Sequence, residues 1–273
     1  MLVQQELTIL VCMQTLFLQL HMQQYTLKKS LGQHFLKDEA ICRKIIAALQ
    51  QTTFTQLAEV GPGAGALTKY LLQLPNIHFK AIEIDAEKAA YLQATYPGIK
   101  GKIIQEDFLK IAAPFEGSFT VIGNFPYNIS SQILFKILEW KEQVPVIIGM
   151  FQKEVAQRVA AEPGSKVYGV ISVLIQAHYT IEYLFDVPPD AFNPPPKVMS
   201  GVIRLTRKKE ALPVKSERAF TTLVKVAFNQ RRKTLRNATR ALFDETTLQQ
   251  DIFNKRAEQL SIYDFAQLTF NMR

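Results

Sequence analysis

The stretch Glu59-Val60-Gly61-Pro62-Gly63-Ala64-Gly65-Ala66-Leu67 closes a short β-rich run, Gln56 to Val60, and opens a segment of helix-like composition, Leu67 to Leu74. Glycines at a strand-to-helix junction let the backbone turn tightly and let a ligand approach the main chain without meeting a Cβ. Gly61, Gly63 and Ala66 satisfy G-x-G-x-x-[GA], which keeps a nicotinamide or flavin dinucleotide among the candidates. A glycine-rich turn with no ligand at all is the plain structural alternative. Glu59, two residues before the first glycine, favours a different ligand. Its negative charge would oppose a pyrophosphate at the helix start but would suit the ammonium of a methionine moiety.

Working outward, β-rich runs recur at His78 to Ile84, Lys102 to Gln105, Phe119 to Ile122 and Val144 to Met150. Helix-like stretches lie between and after them, at Ala86 to Tyr96, Gln152 to Ala161 and Tyr168 to Ala177. Upstream, Asp38 to Gln50 has helical apolar spacing with Asp38 placed to cap it. Strands alternating with helices predict an α/β fold, a mainly parallel sheet covered on both faces. Two later runs, Thr180 to Phe185 and Val198 to Leu205, predict an antiparallel edge. Past Thr206 the apolar period becomes helical, at Ala219 to Phe228 and Thr234 to Leu242, so a small all-α domain is expected over residues 207–273.

Charge and cysteine content narrow the class. The net charge of +8 is concentrated late: residues 204–240 carry twelve Lys and Arg against Glu210 and Glu217, leaving the remainder slightly acidic. A local basic surface of this kind suits a polyanion. Cys12 and Cys42 offer neither a disulfide framework nor a zinc-ligand cluster, so no metal is expected and a reducing cytoplasm is the default location. Leu7 to Leu20 is apolar, but its fourteen residues fall short of the roughly 20 needed to span a bilayer, and Met1 to Glu6 lacks the basic residues of a secretory leader. No membrane association is expected. Translation starting at Met22, with residues 1–21 an over-called extension, is the simplest reading of this segment.

The remaining chemistry falls at strand ends. Ala81-Ile82-Glu83-Ile84-Asp85 places an acid about 20 residues past the glycine turn, where a carboxylate can accept the hydroxyls of an adenosine ribose. Glu83 is chosen over Asp85 because it lies nearer the strand end. Asp107-Phe108, after the third run, could bond an adenine amine and cover its ring. Asn124-Phe125-Pro126-Tyr127 follows the fourth run, on the same carboxyl edge as the glycine turn. An aromatic amine is a poor nucleophile, since its lone pair is delocalised into the ring. The Asn124 side-chain oxygen and a main-chain carbonyl of Phe125-Pro126 could accept its two N–H bonds, aiming the lone pair at a sulfonium methyl with no strong base required. Tyr127 could stack the target base, and Phe192, fixed by the prolines of Phe192-Asn193-Pro194-Pro195-Pro196-Lys197-Val198-Met199-Ser200, could form an opposite wall.

Taken in order, these segments resemble the ribosomal RNA adenine dimethyltransferase family, its small-subunit branch most closely. Lys29 to Leu36, Gln152 to Arg158 and Phe228-Asn229-Gln230-Arg231-Arg232-Lys233-Thr234-Leu235-Arg236 extend the match from about Lys28 to the last helices. His34 departs from it, since the family commonly has asparagine there. The resemblance implies a Rossmann-like methyltransferase domain over residues 22–206 and a helical RNA-binding domain over 207–273. It implies S-adenosylmethionine as cofactor, contacted by His34, Leu36, Gly61, Glu83, Asp107 and Asn124. It implies as substrate two adjacent adenosines in a hairpin loop near the 3′ end of 16S rRNA, each dimethylated, in the immature small ribosomal subunit, by a monomeric enzyme. Arg231, Arg232, Lys233 and Arg236, at an expected helix start, would neutralise phosphates, and Lys166-Val167-Tyr168-Gly169 would also reach RNA. The competing readings are the macrolide-resistance branch, which dimethylates 23S rRNA, an RNA-binding assembly factor with an inactive site, and a nicotinamide-dependent reductase.

Overall fold

The computed structural model describes residues 34–273. The expected extension 1–21 and the segment from Lys29 to Gln33 lie outside the described residues. A two-residue strand, β1 (Phe35–Leu36), leads into α1 (Glu39–Gln50). The Asp38 carboxylate accepts from the N–H groups of Ala40 and Ile41, satisfying two of the donors that a helix start leaves unpaired. Ile41, Ile45, Ile46 and Leu49 turn inward at the expected helical spacing.

Strands and helices then alternate: β2 (Gln56–Val60), α2 (Thr68–Leu71), β3 (His78–Ile82), α3 (Ala86–Thr95), β4 (Ile103–Ile104), β5 (Thr120–Asn124), α4 (Ser130–Glu139), β6 (Val146–Gln152), α5 (Lys153–Val159) and α6 (Val170–Gln176). The sheet closes with β7 (Tyr179–Val187) and β9 (Ser200–Arg207), between which the short β8 (Phe192–Asn193) pairs with β1 as a separate ribbon. Spatial order is β4-β3-β2-β5-β6-β9-β7. The first five are mutually parallel, and β9 runs antiparallel to both β6 and β7. The expected antiparallel edge is present. The strand order reverses between β2 and β5, and the crevice above their carboxyl ends is where open sheets bind ligands.

Boundaries differ from expectation for local reasons. β3 stops at Ile82 rather than Ile84, because Asp85 caps α3 by accepting from the Glu87 N–H. β5 runs on to Asn124, since Gly123 and Asn124 pair with Gly149 and Met150 of β6. Those two glycines make room for a ring: a Cβ on Gly149 would lie 2.5 Å from both the Phe125 and Phe151 rings.

Two hydrophobic cores form. One lies about the sheet and includes Val121, Phe125, Ile147, Phe151 and Ile203. The other is built by α7 (Glu217–Asn229), α8 (Leu235–Ala238), α9 (Glu245–Leu248) and α10 (Ile262–Phe270), with Phe220, Leu223, Phe243 and Phe265 at its centre. Ala161, Tyr168, Val173, Leu174 and Ala177 also belong to this second core, and Phe135 and Leu138 of α4 pack against both. No helix among the described residues is long and apolar enough to cross a membrane.

Candidate active site at the carboxyl edge of the sheet

The glycine turn leaves β2 with Gly61, Gly63 and Gly65 all at positive φ. Gly65 admits no other residue. Its φ is +85°, and a Cβ there would lie 2.3 Å from the Tyr96 ring, which covers the turn. The Gly61 N–H is held by the Ile82 carbonyl at 2.9 Å, and a Cβ on Gly61 would meet the Pro126 ring at 3.6 Å. The fold therefore brings the turn and the Asn124-Phe125-Pro126-Tyr127 corner together, as two ends of neighbouring strands should be.

Two acids flank the turn. Glu59, 2% exposed, accepts from the Thr68 hydroxyl at 2.7 Å. Burial raises its pKa from 4.5 to about 8, with the nearby Glu83 charge pushing the same way and the Thr68 bond opposing. Without a cation beside it this carboxyl holds its proton at neutral pH; an ammonium would draw it into the ionised form. Glu83 sits just past β3 and accepts from the N–H groups of Gly63 (3.3 Å) and Asp85 (3.0 Å). Burial raises its pKa, opposed by the Asp85 N–H, the Lys88 charge and the Gly63 N–H. Asp85 caps α3, while the Glu83 carboxylate is held against the glycine turn.

At the end of β5, the Asn124 amide nitrogen donates to the His34 carbonyl at 3.2 Å. A carbonyl accepts and cannot donate, so this contact identifies the amide nitrogen and leaves Oδ1 to act as an acceptor. The His34 ring bonds through Nδ1 to the Pro194 carbonyl at 2.9 Å and lies 5.5 Å from the Tyr127 ring. Because that partner is also a carbonyl, Nδ1 carries the proton. Leu36 is buried in the β1–β8 ribbon, opposite Phe192.

Two aromatic assignments change, while Phe125 keeps its expected main-chain role: it is 1% exposed, with its ring against Phe151 in the core. Phe192 is equally buried, and a base could stack on it only if the surrounding side chains gave way. Phe108 packs edge-on against Trp140 and is 5% exposed, which leaves its ring little face to cover an adenine, although Asp107 remains half-exposed beside it. The exposed apolar residue at this edge is instead Ile84, 55% accessible next to Glu83 and able to lie against an adenine face. Strand alternation carried the signal for Ile84, since it falls between two inward-facing acids.

The basic residues also separate. Arg231, Arg232 and Lys233 lie in the turn between α7 and α8, not on a helix start, because α7 ends at Asn229 and Thr234 begins the next helix. Arg231 donates to the Lys166 carbonyl, with its guanidinium 4.0 Å from Glu258. Arg236 donates to the Leu248 carbonyl at 2.9 Å. Arg232 and Lys233 are exposed. Among the described residues no cluster of three or more His, Cys, Asp and Glu side chains could hold a metal.

A glycine turn at positive φ, a buried acid beside it, a second acid one strand over and an exposed apolar side chain next to that acid fit the amino acid and adenosine ends of S-adenosylmethionine. Fold and site together define a Rossmann-like, S-adenosylmethionine-dependent methyltransferase. The chain belongs to the ribosomal RNA adenine dimethylase family, whose model matches residues 24–270. It is 53% identical over 253 residues to the ribosomal RNA small subunit methyltransferase A of Flavobacterium johnsoniae, covering 91% of this chain and 96% of that one. The protein of the same name from Cytophaga hutchinsonii is 49% identical over 252 residues, covering 91% and 98%. Among solved structures, a dimethyladenosine transferase from Plasmodium falciparum superposes with a TM-score of 0.75 at 26% identity, covering 86% of this chain and 96% of that one. The 23S rRNA methyltransferase ErmE shares the fold, with a TM-score of 0.65 at 24% identity, covering 85% and 99%.

Proposed function

We propose that this protein dimethylates the N6 amines of two adjacent adenosines in the hairpin loop near the 3′ end of 16S rRNA, acting as a cytoplasmic monomer on the immature small ribosomal subunit. The observation that carries the chemistry is the Asn124 amide whose nitrogen is held by the His34 carbonyl, because it commits Nδ2 and reserves Oδ1 to accept. The names of the relatives near 50% identity support the small-subunit substrate. The large-subunit alternative is supported only by likeness of fold.

In this reading S-adenosylmethionine supplies an electrophilic sulfonium methyl when bound. Glu59 receives the ammonium, Glu83 the ribose hydroxyls and Asp107 the adenine amine, while His34, Leu36 and Gly61 wall the site. Asn124 Oδ1 accepts one N6–H of the target. The Pro126 carbonyl already accepts from the Ile129 N–H at 3.2 Å, so the Phe125 carbonyl takes the second. Holding both hydrogens in this way favours a pyramidal nitrogen whose lone pair points along the transfer axis, and the positively charged product then loses a proton to water. Tyr127 stacks the extruded base, worth roughly 1–3 kcal/mol by comparison with other aromatic platforms. Arg232 and Lys233 meet RNA phosphates, and Arg231 and Arg236 shape the turn that presents them, beside Lys166-Val167-Tyr168-Gly169.

Incubation of the purified protein with methyl-labelled cofactor and each immature subunit, followed by mapping of the modified bases, tests the proposal. Label at two adjacent small-subunit adenosines is expected. Label confined to the large subunit would overturn it.

A further inference from the structure

Ser200 is the first residue of β9, and because β9 runs antiparallel to β6 this end returns to the carboxyl edge, opposite Gln152 of β6 and Val187 of β7. It is fully buried, and its hydroxyl lies 2.5 Å from the Tyr127 hydroxyl. We infer that Ser200 is a positioning residue for methyl transfer, its hydroxyl anchoring the far end of the Tyr127 ring at the angle at which a target adenine stacks. The inference rests on the reading of Tyr127 as the base platform.

The geometry separates the two ends of that ring. The main chain of Tyr127 is fixed by the Ser130 hydroxyl, which donates to the Tyr127 carbonyl at 3.2 Å. The His34 ring stands 5.5 Å away at a tilt of 32° and limits motion to one side. Neither contact fixes the torsion about the bonds that carry the ring. The hydroxyl-to-hydroxyl bond does, by tying the distal atom to a strand paired on both sides. Tyr127 as a whole is only half-buried, so a ring face remains available for stacking while its polar tip is desolvated and paired. An aromatic platform costs little entropy to use only when its orientation is set before the base arrives. A phenylalanine would supply the same face without the anchor. A tyrosine whose hydroxyl is buried against a buried serine is the arrangement a fixed platform requires.

The test compares Ser200→Ala, Tyr127→Phe, the double variant, Ser200→Thr and Tyr127→Ala. Each is assayed for kcat and for KM toward immature small subunits, with cofactor Kd by calorimetry. Removing one hydrogen bond of this kind should lower kcat about 3–10-fold in Ser200→Ala and in Tyr127→Phe. Cofactor Kd should stay within about twofold of wild type, because the bond touches no cofactor-facing group. The double variant should be no slower than either single one, since both remove the same bond, and Ser200→Thr should recover most of the rate. A wild-type kcat in Ser200→Ala, or losses that multiply in the double variant, would overturn the anchor. Should Ser200→Ala fail to fold, Tyr127→Phe decides alone, wild-type turnover there counting against the inference. Tyr127→Ala distinguishes the two levels: full activity in it removes the platform reading itself, whereas inactivity alongside a fully active Ser200→Ala removes only the anchor.

Discussion

Glu59→Gln exchanges a carboxyl for an amide of the same shape and keeps an oxygen for the Thr68 hydroxyl, so it isolates the charge. Burial holds the Glu59 carboxyl at a pKa of about 8 against an ordinary 4.5. Between those two values the folded protein keeps a proton that the unfolded chain has released, so stability falls as pH rises through the window and levels off above it. At about 1.4 kcal/mol per unit the full loss is on the order of 3–5 kcal/mol, a large share of the stability of an ordinary domain. Glutamine carries no such proton. The cofactor-free variant should match wild type near pH 5 and exceed it by several kcal/mol at pH 8, read from urea unfolding at both values. An equal difference at the two pH values would show that Glu59 does not titrate there. The cofactor should reverse the balance: pairing its ammonium with ionised Glu59 releases a proton near neutral pH, visible by calorimetry in buffers of differing ionisation enthalpy. The variant should bind more weakly and release none.

Asn124→Ala should abolish methyl transfer while cofactor Kd changes only a few-fold; single-turnover assays on small subunits check this, and retained turnover would remove the amide from the chemistry. Glu83→Ala should weaken cofactor binding by roughly 1–3 kcal/mol through loss of charged hydrogen bonds, with calorimetry as the measure and an unchanged Kd as the contrary result. Reversing Arg232 and Lys233 to Glu should weaken subunit binding and flatten its dependence on salt by about one unit of slope or more per lost phosphate contact. If that slope stays at its wild-type value, this turn does not meet RNA.

Much of the architecture was legible because its signals are local. The junction Glu59 to Leu67, the alternation of β-rich and helical runs and the acids two residues apart after β3 each follow from short-range geometry. Asn124 was legible for the same reason, as a polar residue ending a strand. What failed depends on contacts distant in sequence. Nothing local to Phe125 says where its ring goes; Gly149, on the next strand, shows it. A glycine within a central strand was the available signal. Phe192 is covered through pairing of two-residue strands, too short to carry any period. Arg231 and Arg236 read as surface charge, yet backbone carbonyls that take up their guanidinium hydrogens leave no trace in composition. Tyr96 lies over Gly65 across 31 positions, and nothing near either residue announces the other.

The side chains of Phe135 and Leu138, seated against both hydrophobic cores, carry a mechanical consequence. A helix packed into two cores at once opposes hinging there, since close-packed interiors transmit strain. On the proposed function the turn bearing Arg232 and Lys233 would then keep a set span from Asn124, like a gauge, and a second neighbouring adenosine would be reached by the nucleic acid slipping to extrude its next base into the same corner.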